Sequence, residues 1–278
     1  MAQKYGIVTT ITERLFNGIL PRQSEMFAAT ANLPGFGRMA PIFLTVPNYD
    51  VTQNLMLQGL MSYSIGRIFR LPVPETCPVS CKTTLLPTSS KCLIGRDLNS
   101  PYLKAVAAVN FNPHHTKQRI LIRNQLQKAD QQQWRYLPEI AVHDELLCVT
   151  DRSDSTLLRT GQNDFTLLDF EPIFGGPPWT PQILEEKLKG SYGNNAIATL
   201  IARYGYDIQI RRMLNLAVEY SKNLSLNAEN LGHDLGLLAW TDSQTIRFIV
   251  DLLNQRAKIL GALIQRRVEN EQLFHGNN

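Results

Sequence analysis

Apolar and polar positions recur with two different periods along this chain, and the change of period divides it. Residues 5–13 (YGIVTTITE) are β-branched and predict a strand. Residues 21–39 carry Pro21, Pro34, Gly35 and Gly37 and are expected to form a loop. Ile42 to Val46 predicts a second strand. From 53 to 70, Leu57, Leu60, Met61, Ile65 and Ile68 recur at three-to-four spacing, which predicts a helix with one buried face. Pro72 and Pro74 end it, because proline disfavours helical geometry in the residue before it.

The middle of the chain is less regular. PYLKAVAAVNF, from Pro101, is apolar enough for either a strand or a buried helix. HHTKQRILIRNQLQKADQQQW, from His114, predicts a helix with Arg119, Arg123 and Lys128 on its wet side. After Pro138 comes a helix carrying His143, Asp144 and Glu145, with Leu146, Leu147 and Val149 at its end. His143 is expected to be a packing histidine. FTLLDFE, from Phe165, predicts a short strand after the turn Gly161-Gln162-Asn163-Asp164. Beyond Gly176 the period is helical almost without relief: Ile183–Leu188, Ala196–Tyr204, Ile208–Lys222, Ala228–Leu238 and Ser243–Val268. Thr241 or Asp242 caps the last of these. Its apolar stripe is Ile246, Ile249, Val250, Leu253, Leu260 and Ile264, with Arg247, Gln255, Arg256, Arg266 and Arg267 expected outside.

Composition narrows the class. With 278 residues, 44% hydrophobic and 19% charged, the chain is globular and long enough for two lobes. A net charge of +4 is mild: it fits an anionic small ligand or RNA, but a nucleic-acid binder usually shows a stronger, clustered excess, so nucleic acid is not the partner expected. No apolar run reaches the roughly 18 residues of a membrane span, and the first residues lack a basic-then-apolar leader, so the cytoplasm is expected. Four cysteines fit reduced thiols there. Cys77, Cys81 and Cys92 with His114 and His115 match no standard zinc spacing.

Chemistry concentrates between Val142 and Gly176. Asp151 follows the helix end and opens the polar segment DRSDST; Asp169 ends the strand after the turn. A loop acid followed by a hairpin that returns a second acid places two carboxylates beside one cleft. Phosphoryl transfer needs that pairing, one acid at the acceptor and one at Mg²⁺. Taken singly, Asp151 and Asp154 also suit turn caps, and Asp169 a strand end.

The same segment resembles the catalytic and metal loops of HipA-like kinases, a bacterial and phage branch of the protein-kinase-like fold. The resemblance rests on Asp151-Arg152, Leu157-Leu158, Leu168-Asp169-Phe170, Phe174-Gly175-Gly176 and Trp179-Thr180, and upstream on Leu55 to Glu75, which is similar to that family's αC helix and the turn after it. Together these touch most of residues 40–180. The departures are equally specific. Thr156 stands at the metal-ligating Asn, Thr45 at the phosphate-contacting Lys of a "FLKV" phrase, and Gln58 at the αC Glu that would pair with that Lys. Joint loss of Lys and Glu leaves no stranded charge.

The resemblance implies a two-lobed, kinase-like α+β fold: residues 1–76 a small N-lobe with β-strands and an αC-like helix, 77–278 a mostly helical C-lobe. It implies ATP and Mg²⁺, with Asp151 as base or acceptor-orienting residue and Asp169 as metal ligand. Thr156 becomes a weak neutral ligand, and Asp154 a substitute carboxylate. Thr45, Gln58 and a glycine turn at Gly35 and Gly37 fall at the nucleotide, although an ordinary loop is the simpler meaning of those glycines. The acceptor is then a protein Ser/Thr or a small molecule. The competing expectations are an inactive pseudokinase serving as a binding or regulatory module, and a phage or toxin-type interaction protein that docks a partner.

Overall fold

Alternation in the first 109 residues builds a barrel. In the computed structural model, the residues described are 6–14, 24–33, 39–47, 61, 63–73, 75–90, 101–109, 136–149, 157–159, 165–167, 173–175, 182, 184–186, 195–234 and 242–275. Strands β1 (Gly6–Arg14), β2 (Ser24–Asn32), β3 (Met39–Pro47), β4 (Glu75–Lys82) and β5 (Tyr102–Val109) close in the order β1-β2-β3-β5-β4. Neighbours are antiparallel except at the seam, where β4 runs parallel to β1 through Gly6↔Val79 and Ile7↔Ser80. Two register shifts bulge β1 against β2, and bulges add the bend and twist that closure requires. At the seam a side chain on Gly6 would put its Cβ 2.5 Å from Leu33 Cδ2 and 2.9 Å from Val79 Cγ1, so any larger residue there would have to displace those side chains.

Period-2 alternation fills the interior. Val8, Phe27, Ile42, Leu44, Val46, Val79, Cys81 and Leu103 share it with Ala29, Ala31, Ala105 and Ala107. Five strands enclose little room, and the alanines make space for Phe27 and Leu44. β2 is thus a full strand inside the 21–39 segment expected to be loop. PYLKAVAAVNF resolves as strand β5. The lobe boundary expected at residue 76 falls inside β4, and two of the five strands reach past it.

The helical part is built around α2 (Leu137–Leu147), in which all eleven residues are buried. Around it pack α3 (Ala196–Tyr204), α4 (Asp207–Asn223) and α6 (Ser243–His275), with α5 (Ala228–Asp234) against α6. The stripe expected on the last helix is buried throughout, and Asp242 caps it by accepting the Thr245 N–H at 2.8 Å. Gly261 brings α4 and α6 close, its N–H donating to Ser221 Oγ at 2.9 Å. Helix α1 (residues 63–68) precedes β4 in sequence yet packs with this core: Ile65, with Met61, Phe69 and Leu71, belongs to the helical cluster and not to the barrel's. The helix grouped with the first strands therefore packs with the helical core through Met61, Ile65 and Phe69, whereas Ile68, expected on the buried face, is exposed. Among the described residues no helix is long and apolar enough to cross a membrane.

Candidate functional site

The site is approached along α2, which ends inside the protein. A helix leaves its last carbonyls without intrahelical donors, and in a dry interior side chains must supply them. Here the supplier is α6. Arg256 donates from Nε to the Glu145 carbonyl at 2.9 Å and from Nη2 to Glu145 Oε1 at 3.3 Å. Arg267 donates from Nε to Glu145 Oε2 at 3.0 Å. Asn195 donates to the same Oε2 at 2.9 Å and to the Ala141 carbonyl at 2.8 Å, while its own Oδ1 caps α3 at the Ala198 N–H. One fully buried carboxylate thus ties α2, α3 and α6 together.

The sequence analysis placed Arg256 and Arg267 on the wet side of the last helix. They are 1% and 8% exposed. Their spacing carried the signal: 249, 253, 256, 260, 264 and 267 run down a single helical face, so two charges stand in the apolar stripe. Two residues before Glu145, His143 is wholly buried, 3.1 Å from Asp144 Oδ1 and edge-on to Phe69. That suits the packing role expected of it.

The exit from α2 is strained. Cys148 is left-handed, at φ 51°, ψ 44°, where a non-glycine residue costs about 1–2 kcal/mol. The Val149 N–H donates back to the Asp144 carbonyl at 2.9 Å, and the Cys148 N–H reaches the Glu145 carbonyl at a long 3.4 Å. Asp151 lies two residues beyond Val149.

Next in the chain is a short hairpin, β6 (Leu157–Arg159) and β7 (Phe165–Leu167), whose open end is the pair Leu157↔Leu167. The segment with Asp151, Asp154 and Thr156 joins the hairpin at Leu157, and Asp169 follows two residues after Leu167. Both acid-bearing segments therefore attach at one end of the hairpin. Leu167 is buried, and its N–H donates to the Pro72 carbonyl at 2.8 Å, fastening the hairpin to the turn after α1. Phe174, in the Phe-Gly-Gly phrase, is buried and left-handed at φ 52°.

Of the predicted site residues, Asp151, Asp154, Thr156, Asp169, Gln58, Gly35 and Gly37 lie outside the described residues. Thr45 is described: half-buried on β3, between Met26 of β2 and Val106 of β5, while its neighbours Leu44 and Val46 point into the barrel. Thr45 is six residues along β3 from Met39, about 20 Å at strand rise. The connection at Thr45's own end runs from Arg14 to Ser24.

That end carries a buried acid that the sequence analysis did not single out. Glu25 receives Arg14 Nη2 on one carboxylate oxygen and the Ser90 hydroxyl on the other, binding the end of β1 to the segment after β4. A carboxylate at the first inward position of an otherwise apolar alternation was its only mark.

The cysteines do not make a metal site among the described residues. Cys77 and Cys81 face the barrel core as free thiols, and Cys148 is buried. Burial raises the thiols of Cys77 and Cys81 from 9.0 to about 11, with the Glu75 carboxylate adding to the shift at Cys77. Among the described residues no three His, Cys, Asp or Glu side chains converge on a metal position. Compared with known proteins, the chain matches no family model and no curated sequence.

Proposed function

We propose that the chain is a protein-kinase-like phosphotransferase of the HipA-like type, using ATP and Mg²⁺ on a protein Ser/Thr or a small acceptor, with weak turnover. The observation that carries this reading is the hairpin: Leu157↔Leu167 joins, at one end, the segment of Asp151 and Thr156 to the segment of Asp169. Phosphoryl transfer wants an acceptor-orienting acid and a metal-holding acid within reach of one another. Element order supports it too. Thr45, in the Lys place, stands on the third strand, a helix follows, and then two more strands. Where Mg-ATP binds, Asp169 with Thr156 or Asp154 would hold the ion, and Asp151 would orient the acceptor. The bound nucleotide supplies the transferable phosphoryl group.

Thr45 is also the specific support for a second reading, a pseudokinase that binds without transferring. A neutral hydroxyl there provides no fixed positive charge at the phosphates, the largest contribution a protein makes to this chemistry. A third role, docking a partner in the manner of a phage or toxin protein, is compatible with either.

Calorimetric titration with Mg-ATP, followed by incubation with γ-labelled ATP, tests the proposal. Binding is expected, with slow labelling that Asp169→Ala abolishes. Label that survives in Asp151→Ala/Asp169→Ala would remove the two acids from the machinery. Binding without label would select the pseudokinase, and no binding would end both nucleotide readings.

A further inference from the structure

The buried contacts of Arg256 and Arg267 are placed to do more than hold helices together. Arg256 takes the carbonyl of Glu145, and the only backbone donor near that oxygen among the described residues is the distant Cys148 N–H at 3.4 Å. The turn that follows has no glycine to make its left-handed residue cheap, since Cys148 occupies it. A strained residue persists only where its surroundings over-determine it, and such residues gather at functional sites. Here the surroundings are donated from a helix more than a hundred residues away in sequence.

We propose that Arg256 and Arg267, about three turns apart on one face of α6, are positioning residues for the chain that leaves α2 at Val149 and carries Asp151. They act through Glu145: its carbonyl and carboxylate are gripped, the last turn of α2 is held, and the direction of departure is set. Only the consequence for catalysis rests on the phosphotransferase reading; the positioning itself is a property of the fold.

Amide hydrogen exchange at Cys148 and Val149 reads the positioning directly. Arg256→Lys keeps a cation but loses the planar fork and its Nε donor. Leu253→Ala, a purely apolar loss one turn away on the same helix, is the control for general destabilisation. Referred to equal global stability, Arg256→Lys is expected to speed exchange at Cys148 and Val149 by about tenfold over the Leu253→Ala protein, with the middle of α2 and α6 alike in both. Arg267→Lys, whose described contact is with the carboxylate, is expected to act in the same direction and stands in if Arg256→Lys does not fold. Exchange no faster than in the Leu253→Ala protein overturns the proposal. If the wild type also transfers label, Arg256→Lys is expected to lower the transfer rate about tenfold with an unchanged Kd for Mg-ATP. A wild type that binds no nucleotide ends the phosphotransferase reading and leaves the exchange result to decide the positioning.

Discussion

The barrel and the helical part bury their interiors by opposite means. Inside the barrel the described lining is apolar or thiol, and the acid Glu25 stands at its rim with Arg14 and Ser90. Inside the helical part His143, Asp144, Glu145, Asn195 and Arg256 are almost wholly enclosed. The difference follows from where backbone groups end up. A closed sheet pairs its N–H and C=O groups strand to strand and leaves no edge, so its interior needs no polar side chain. A helix that ends in the interior leaves carbonyls behind, and α2 is such a helix. The polar cluster is the consequence of burying a helix terminus, and that terminus is where the candidate catalytic segment begins.

The comparison breaks most directly at Glu145. Glu145→Leu leaves two arginines in a dry site without their carboxylate, a loss of about 3–5 kcal/mol in urea unfolding. A loss under about 1 kcal/mol would mean that water reaches the cluster, and that the two interiors are less different than argued.

Leu44→Ala asks the same of the barrel. Here the loss is packing and cavity alone, about 2–4 kcal/mol, with no charge stranded. Leu44 belongs to the barrel cluster and Glu145 to α2, whose apolar residues belong to the helical one, so the double variant is expected to be additive within about 0.5 kcal/mol. Strong non-additivity would show that the clusters act as one.

How much of this was legible in the sequence divides along the same line. Helices α3, α4 and α6 follow from the apolar period, and the Asp242 cap from its place before that period begins. β2 was hidden because Ser24–Asn32 is rich in alanine and flanked by proline and glycine. Alanine earns its place in a strand only where a narrow barrel leaves no room for more, which is tertiary information. Arg256 and Arg267 were misplaced because their charge was weighed above their spacing. Their period put them on the buried face, and only Glu145, far off in sequence, explains why charge is tolerated there. Of the candidate site, the hairpin between the two acids was legible, since turn and strand signals are local. The buried Glu25 was not, because its partners Arg14 and Ser90 meet it only when the barrel closes.

pH separates the two parts more gently. Cys77 and Cys81 have thiols raised to about 11 by burial in the barrel wall, from 9.0 in an open chain. Folding thus favours the protonated thiols: their contribution is complete below pH 9 and is lost as pH rises toward 11. The Tm of the wild type should therefore fall between pH 8.5 and about 10.5 by more than that of Cys81→Val, which has one fewer buried thiol to ionise on unfolding. Parallel curves would place the alkaline sensitivity elsewhere.

The smallest effect belongs to the helical part, at its surface. The Asp242 carboxyl is held below its ordinary 3.8, first by the Thr245 backbone N–H and then by the Thr245 hydroxyl. A depressed carboxyl contributes its stabilisation above the open-chain pKa and loses it as pH falls through the folded one. Asp242→Asn keeps an oxygen for the Thr245 N–H but has no charge to place against the N-terminal end of the α6 dipole. The wild type should melt slightly above Asp242→Asn at pH 7, and the gap should close as pH falls below about 3.8, whatever the barrel is doing. A gap that persists at pH 2 would assign the advantage to hydrogen-bond geometry, leaving charge without a part in starting α6.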